Sequence, residues 1–391
     1  MIKTIKLYDD QPYEREFTAK IIDIADAGEG FLDIVLDRTL FFPEEGGQTC
    51  DNGYICDFKV AHVSIDDGVI THRIQCAATA LSEGEEVQGR IDWEHRFSNM
   101  QNHSAEHILS GLLHNIWGSE NVGFHLSDNV VTLDTSKELE ADEIKRLEKS
   151  ANKVIYDNIP VDCRYYEPSE LSAIEYRSKK ELKEDVRLVT IPGVDVCACC
   201  APHVSRTGEI GIIKIIKAIR YKGGMRFTVL AGCRAYDHIT ALQDMTDNVS
   251  HLLSVSSDKL DEAVSRLMKE NEEYKIKLKN AAAAKLGQEI KALSKDSRNA
   301  VLFTDPIDNI VQRNAVNDLA RSHAGVCAVF SSDGAGGYNY IISYPEGDVR
   351  DIAKLMKEKL TSKGGGSKDM IQGNVKASEE EIRRVLDFQN E

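Results

Sequence analysis

Hydrophobic and polar positions along this chain change their period from one stretch to the next, and each change predicts a different kind of element. Over residues 1–90, short β-branched or alternating runs (DIVLDRTLFF, GYICDFKVAHVSI, GVITHRIQC) are separated by Gly-Gly, Asp-Asn-Gly and Asp-Asp-Gly turns. A period of two with turn residues between the runs predicts strands, and so many short strands predict a small β-barrel or compact sheet. From 91 to 235 the periods mix. WEHRFSNMQNHSAEHILSGLLHNIWG is apolar at helical spacing, whereas IGIIKIIKAIRY and MRFTVLAG read as strands. ELEADEIKRLEKSANKVIYDN carries its acids early and interleaves later bases with apolar residues, which predicts a surface helix over 139–157 packed on a sheet. The mixture predicts an α+β domain.

A third pattern occupies 236–296. Apolar residues at 260, 264, 267, 274, 278 and 281 alternate steps of four and three, with Asn271 in the missing step. This predicts a long helical or coiled-coil segment, and a polar Asn in such a seam fixes register or oligomer number. A homodimer and a helix packed on its own domain both satisfy the spacing. Over 297–391 strand and helix alternate again, through AVLFTD, VQRNAVNDLARSHA, GVCAVFSS, the turn DGAGGYN and YIISYPE, so a separate small α/β domain is expected. The whole is an α+β multidomain protein.

Composition narrows the function classes. A chain of 391 residues can bury a sizeable core in more than one domain. The N-terminal stretch has no apolar signal core, and no run approaches the roughly twenty apolar residues that cross a bilayer, so a soluble cytoplasmic protein with no membrane partner is expected. Nine cysteines is an odd number, and Cys50, Cys56, Cys76, Cys163 and Cys327 follow no framework spacing, as expected of reduced thiols. A formal charge of −16 excludes a protein that coats nucleic acid non-specifically, because phosphate contacts need Lys and Arg. It leaves room for a local basic patch. Lys354, Lys357, Lys359, Lys363 and Lys368 face one acid, Glu358, and flank Gly364, Gly365 and Gly366. Backbone N–H groups of a glycine loop beside lysines can cradle a sugar-phosphate strand, and a solvated lysine face leading into a flexible loop has the same sequence.

The chemistry concentrates elsewhere. His103 and His107 stand four apart on a predicted helix, so both imidazoles share one face. Cys199 and His203, in CACCAPHVSRTGEIG between the turn-formers Pro192-Gly193 and Thr207-Gly208, complete a set of four. Nitrogen and thiolate ligands at roughly 2.0 to 2.3 Å suit Zn2+ better than magnesium or calcium. Cys197 and Cys200 are competing thiols, since a Cys-x-Cys pair can itself chelate. Four protein ligands would close a tetrahedron, the mark of a structural site. A catalytic ion needs either one loosely held ligand or expansion to five-coordination. Glu106, one step from His107, points off the ligand face and is given no base role.

Four runs in order, LDRTLFFPEEGGQTCDNG, GRIDWEHRFSNMQNHSAEHILSG, IPGVDVCACCAPHVSRTGEIG and FTVLAGCRA, resemble the editing domain of alanyl-tRNA synthetase and its stand-alone relatives, the AlaX-type editing proteins. The remainder, with its helical segment and GGGSKDMIQG, resembles the C-terminal domain of the synthetase, so the long form of the family matches best. The resemblance implies a zinc-dependent hydrolase that deacylates, in trans and without ATP, alanine-specific tRNA mischarged with serine or glycine. Nothing resembles the amino-acid-activating core, so ligation is not expected. By the same resemblance His103, His107, Cys199 and His203 are the metal ligands and Thr39 and Gln48 line the amino-acid pocket. Lys359, Lys363, Gly364, Gly365, Gly366 and Lys368 would contact tRNA. Asp92 and Met100 would be structural and Arg96 an RNA contact. The family usually writes its third motif C-G-G-T-H, and here Cys199-Cys200-Ala201-Pro202-His203 keeps the spacing and loses the small residues. The alternatives are a zinc-stabilised RNA-binding or dimerisation module without catalysis, and editing of another mischarged tRNA, since threonyl-tRNA synthetases carry a related domain.

Overall fold

The computed structural model describes residues 3–76, 81–178, 186–294 and 297–387. The chain divides into two compact units, Met1–Thr246 and Asp247–Glu391.

The first unit opens with a closed six-stranded barrel. Its strands run in the order Glu16–Gly28, Phe31–Leu36, Val69–Gln75, Phe58–Asp66, Gly53–Ile55 and Glu86–Ile91, and the last pairs back onto the first. Every neighbouring pair is antiparallel. The alternation in the sequence is what builds it: along Glu86–Ile91 exposed and buried residues alternate strictly, placing Val87 and Ile91 inside with Ile34, Phe41 and Ile74.

The helix Trp93–Trp117 follows directly. Asp92 caps it by accepting the His95 N–H, and Gly118, left-handed at φ 59°, ends it. Most of this helix is buried, because it packs on the Ala141–Tyr156 helix and on strands of two sheets. One is four-stranded, in the order Ile213–Tyr221, Gly224–Ala231, Val131–Thr135, Asn121–Leu126. The other is three-stranded, in the order Asp162–Tyr166, Val186–Ile191, Asp195–Ala198. Met100 is fully buried in this core. Arg96 is fully buried as well, and this corrects its expected role as an RNA contact. Its guanidinium pairs with the buried carboxylate of Asp51 and donates to the carbonyls of Leu40 and Pro12, tying helix to barrel.

The second unit contains the helix Leu260–Ala292 and a five-stranded sheet in the order Ala300–Thr304, Cys327–Ser332, Tyr338–Ser343, Met370–Lys376, Thr361–Gly366. Only the first pair is parallel. The helix Asn309–Ser322 covers one face through Val316 and Leu319, and Val349–Lys359 covers the other through Ile352 and Met356. Of the heptad-spaced residues, Val264, Leu267, Tyr274 and Leu278 are exposed. The glycines differ from the expected loop: Gly364, Gly365 and Gly366 belong to the edge strand and pair with Gly373, Gln372 and Ile371. Close approach explains two of them, since a Cβ on Gly364 would lie 2.3 Å from the Tyr340 hydroxyl oxygen and one on Gly366 would lie 2.2 Å from the Met370 carbonyl oxygen, whereas a Cβ on Gly365 would meet nothing. Lys359 ends a helix, Lys363 lies in the edge strand and Lys368 in the connection after it, all three exposed. Among the described residues no helix is long and apolar enough to cross a membrane.

Candidate metal centre and cleft

His103 and His107 stack on the buried face of the long helix with ring centroids 5.5 Å apart, and His203 meets both rings edge-on at 4.9 and 4.8 Å. Cys199 completes the group. Its Sγ lies 3.6 Å from His103 Nε2 and 3.4 Å from His203 Nε2, and the four ligand atoms all fall within 4.8 Å of one another.

Each imidazole is oriented through its other nitrogen. His103 Nδ1 lies 2.8 Å from Gln48 Oε1, His107 Nδ1 lies 2.9 Å from Asp195 Oδ2, and His203 Nδ1 lies 3.0 Å from Ser104 Oγ. A carboxylate and an amide oxygen can only accept, so at His103 and His107 the proton sits on Nδ1 and Nε2 offers its lone pair. His107 Nε2 is buried without a hydrogen-bond partner. A buried ring nitrogen left in this state, grouped with a thiol and two other ring nitrogens, fits a metal. Tetrahedral ligands at about 2.0–2.3 Å from an ion stand about 3.3–3.6 Å from each other, which matches the Sγ to Nε2 distances.

Local chain geometry explains the orienting groups. Gly46 and Gly47, at φ 64° and 86°, form a tight turn in which Gln48 and Glu45 exchange backbone hydrogen bonds. The turn is stitched to the strand Asn121–Leu126, and a Cβ on Gly47 would meet the Phe124 carbonyl oxygen at 2.5 Å. Gln48 is thereby held beneath His103. Asp195 begins the strand Asp195–Ala198 and takes a two-pronged bond from Arg177, at 2.8 Å to each oxygen, while also receiving His107. Although burial opposes its charge, the bonds from His107 and Arg177 hold its carboxyl below the usual range.

The thiols separate on the same grounds. Burial disfavours the Cys199 thiolate, yet attraction from His103 and His203 holds its pKa well below the usual thiol value. Burial and the neighbouring Cys199 push Cys200 up instead. Cys197 forms a second potential ligand group with His107 and Asp195.

The centre opens onto a cleft of about 1180 Å³, lined by His103, His107, Glu106, Asn121, Phe124 and Arg177 among others. Of the residues expected at the site, His103, His107, Cys199 and His203 come together and Gln48 joins them as a support for His103. Thr39 does not line this cleft. It is fully buried, with Oγ1 2.9 Å from His72 Nε2 and accepting the Phe41 N–H at 3.0 Å. The lysine and glycine positions 359–368 lie in the second unit. Sequence reasoning missed Ser104, Asp195 and Arg177. Ser104 and Asp195 sit within the quoted motifs, but their polar contacts depend on tertiary packing, and Arg177 had no motif around it.

Two family descriptions match this chain: tRNA synthetases class II (A) over residues 3–95, and the threonyl and alanyl tRNA synthetase second additional domain over residues 186–227. Gln48 falls in the first match, Cys199 and His203 in the second. Alanyl-tRNA editing protein AlaX-L from Pyrococcus horikoshii is 28% identical over 394 aligned residues, covering 96% of this chain and 96% of the relative. Alanine–tRNA ligase from Methanococcus vannielii is 28% identical across 97% of this chain, which spans 43% of that ligase's length. The crystal structure of the C-Ala domain from Aquifex aeolicus alanyl-tRNA synthetase aligns with 22% of this chain and 88% of that domain, at 19% identity and a TM-score of 0.20. From end to end, then, the chain resembles the long alanyl-tRNA editing proteins and the corresponding portion of alanine–tRNA ligase.

Proposed function

We propose that this protein is a trans-editing hydrolase that deacylates alanine-specific tRNA mischarged with serine or glycine, with zinc held by His103, His107, Cys199 and His203. The observation that carries this reading is the convergence of three oriented imidazoles and one acidified thiol at a wide cleft, in a chain similar over its full length to a protein named for alanyl-tRNA editing. Bound there, zinc would polarise the ester carbonyl and lower the pKa of a water to about 7. The chain supplies the rest. Gln48 and Asp195 keep the Nδ1 protons in place so that the ring faces cannot turn, and the Ser104 hydroxyl holds the His203 ring through its Nδ1. Phe124, 4.8 Å from the His103 ring, walls one side of the cleft and keeps it apolar next to polar groups.

The exposed Lys359, Lys363 and Lys368, beside the strand carrying Gly364, Gly365 and Gly366, are assigned to the tRNA backbone. Contacts of that kind raise affinity without reading sequence and weaken with salt. A cytoplasmic homodimer joined through the exposed seam Val264, Leu267, Tyr274 and Leu278 completes the proposal.

The test is a panel of Ser-, Gly- and Ala-tRNA(Ala), with Ser-tRNA(Thr) as an outsider. The expected result is that Ser- or Gly-tRNA(Ala) is hydrolysed faster than Ala-tRNA(Ala), and that His103→Ala or Cys199→Ala lowers the rate at least about tenfold, the loss of one orienting or ligating group. Equal rates for wild type and both variants would overturn it. A second reading, a zinc-stabilised RNA-binding module, is favoured by the number of ligands alone, since four protein ligands close a tetrahedron. It requires that metal removal unfold the protein and abolish tRNA binding, with no hydrolysis of any panel member.

A further inference from the structure

Glu106 stands between the two histidines, yet it shares neither of their tasks. It is 6% exposed and lines the cleft beside His107 and Asn121. Its Oε1 is taken up by two neutral donors, the Ser110 hydroxyl and the Asn121 amide at 2.6 Å. Asn121 is itself aimed, because its own carbonyl oxygen accepts the Gly123 N–H at 3.0 Å. Among the described residues nothing donates to Oε2, and Glu106 forms no ion pair. The Arg177 guanidinium on the same cleft is committed to both oxygens of Asp195.

A carboxylate this buried, fixed by neutral hydrogen-bond donors and in contact with no cation among the described residues, is an incomplete ion pair, with Arg177 and His107 acting on it only from beyond contact distance. Burying an unpaired charge is costly, and the cost is recovered only when a cation arrives with the right geometry. An aminoacyl ester brings one. Its α-ammonium is the single positive charge on a seryl or glycyl group, and it sits one carbon from the ester carbonyl that a group beside His103 and His107 would act on.

We propose that Glu106 is the ammonium-recognition residue of the cleft, accepting an N–H of the substrate's α-amino group on Oε2 while Ser110 and Asn121 hold Oε1. The proposal rests on the reading of the site as one for aminoacyl esters. It assigns Glu106 to binding and orientation of the aminoacyl group and predicts a preference for free over N-blocked amino acids. Cleavage of the ester is left to the metal-bearing centre.

The experiment measures binding, so that it does not depend on turnover. The probes are 3′-deoxy-3′-(L-serylamino)adenosine and the matching glyceroyl amide, in which a hydroxyl replaces the amine. The wild-type protein should bind the serylamino probe about tenfold or more tightly over the glyceroyl one, the range of a hydrogen bond between charged groups. In Glu106→Gln the preference should fall to within about twofold, with glyceroyl affinity and zinc content unchanged and a melting temperature no lower than the parent's, since the substitution removes a buried unpaired charge. If Glu106→Gln keeps the preference, or weakens both probes equally, the assignment is overturned while the aminoacyl-ester reading stands. If the wild-type protein binds neither probe and deacylates no member of the tRNA panel, that reading falls and Glu106 loses its role with it.

Discussion

Nδ1 of His103 and the amide oxygen of Gln48 lie 2.8 Å apart, although the two residues belong to different elements and are separated by 55 positions. The Gly46-Gly47 turn makes the contact, and the contact turns the His103 Nε2 toward Cys199. Gln48→Ala should therefore leave the fold intact and lower zinc affinity about 10–100-fold, the typical effect of removing an orienting partner. Competition against a chromophoric chelator measures it. Unchanged affinity would mean that His103 is held by packing against Phe124 alone.

Cys199 and Cys200 are neighbours with opposite tendencies. His103 and His203 hold the Cys199 thiol low against its burial, whereas burial and Cys199 itself hold Cys200 high. A metal takes the thiolate. Zinc should be lost from Cys199→Ser and retained in Cys200→Ser, read by elemental analysis of the purified variants, with about one zinc per chain in the parent. Retention of zinc by Cys199→Ser would move the ligand assignment to Cys197 with His107 and Asp195.

The parts of this molecule that sequence made legible are those governed by local periodicity. The barrel strands and the 93–117 and 141–156 helices follow from side-chain alternation at two or at 3.6, and the His103/His107 pair follows from helical spacing. What escaped is set by distant contacts. Thr39 looks the same in sequence whether its hydroxyl faces a substrate or His72, and Arg96 looks like an exposed cation until Asp51 is brought to it from 45 positions away. Gly364 and Gly366 read as a loop because their reason, the approach of Tyr340 and the neighbouring strand, comes from elsewhere in the sheet. Helical spacing alone puts Glu106 off the ligand face and gives it no task. The cleft wall it occupies forms only once Asn121 packs against the helix.

The Arg96 and Asp51 pair predicts a stability effect with a definite asymmetry. Both side chains are fully buried, and Asp51 also accepts the Phe42 N–H at 2.7 Å. Removing one partner leaves a charge in the interior without its counter-ion, which costs about 3–5 kcal/mol. Asp51→Ala and Arg96→Ala should each lower the unfolding free energy by that amount in urea titrations. The double variant should lose much less than the sum, because the second substitution removes the stranded charge. Full additivity would show that the pair contributes through packing alone.

The hydrogen bonds around Thr39 engage its hydroxyl inside the fold and carry a pH dependence. His72 Nδ1 faces the Ile34 carbonyl at 3.3 Å, and a carbonyl only accepts, so Nδ1 carries the proton and the unprotonated Nε2 accepts the Thr39 hydroxyl. Thr39 Oγ1 accepts in turn from Phe41 N, so its proton and its lone pair are both engaged inside the fold. Protonating Nε2 would set two donors against each other, and burial pushes His72 down from 6.5 to about 4. The unfolded chain therefore binds a proton between about pH 6.5 and 4 that the folded chain refuses, and stability falls as pH is lowered through that window. The contribution is of order 3 kcal/mol, taking about 1.4 kcal/mol per pH unit. Urea unfolding at a series of pH values should show this slope in the parent protein, and His72→Gln, which cannot titrate, should show a slope smaller by the His72 contribution, with the rest carried by other buried groups such as His203, which burial also pushes down, to about 3. A variant with the parent's slope would assign the acid sensitivity to another group and set aside a neutral His72 as the acceptor of the Thr39 hydroxyl.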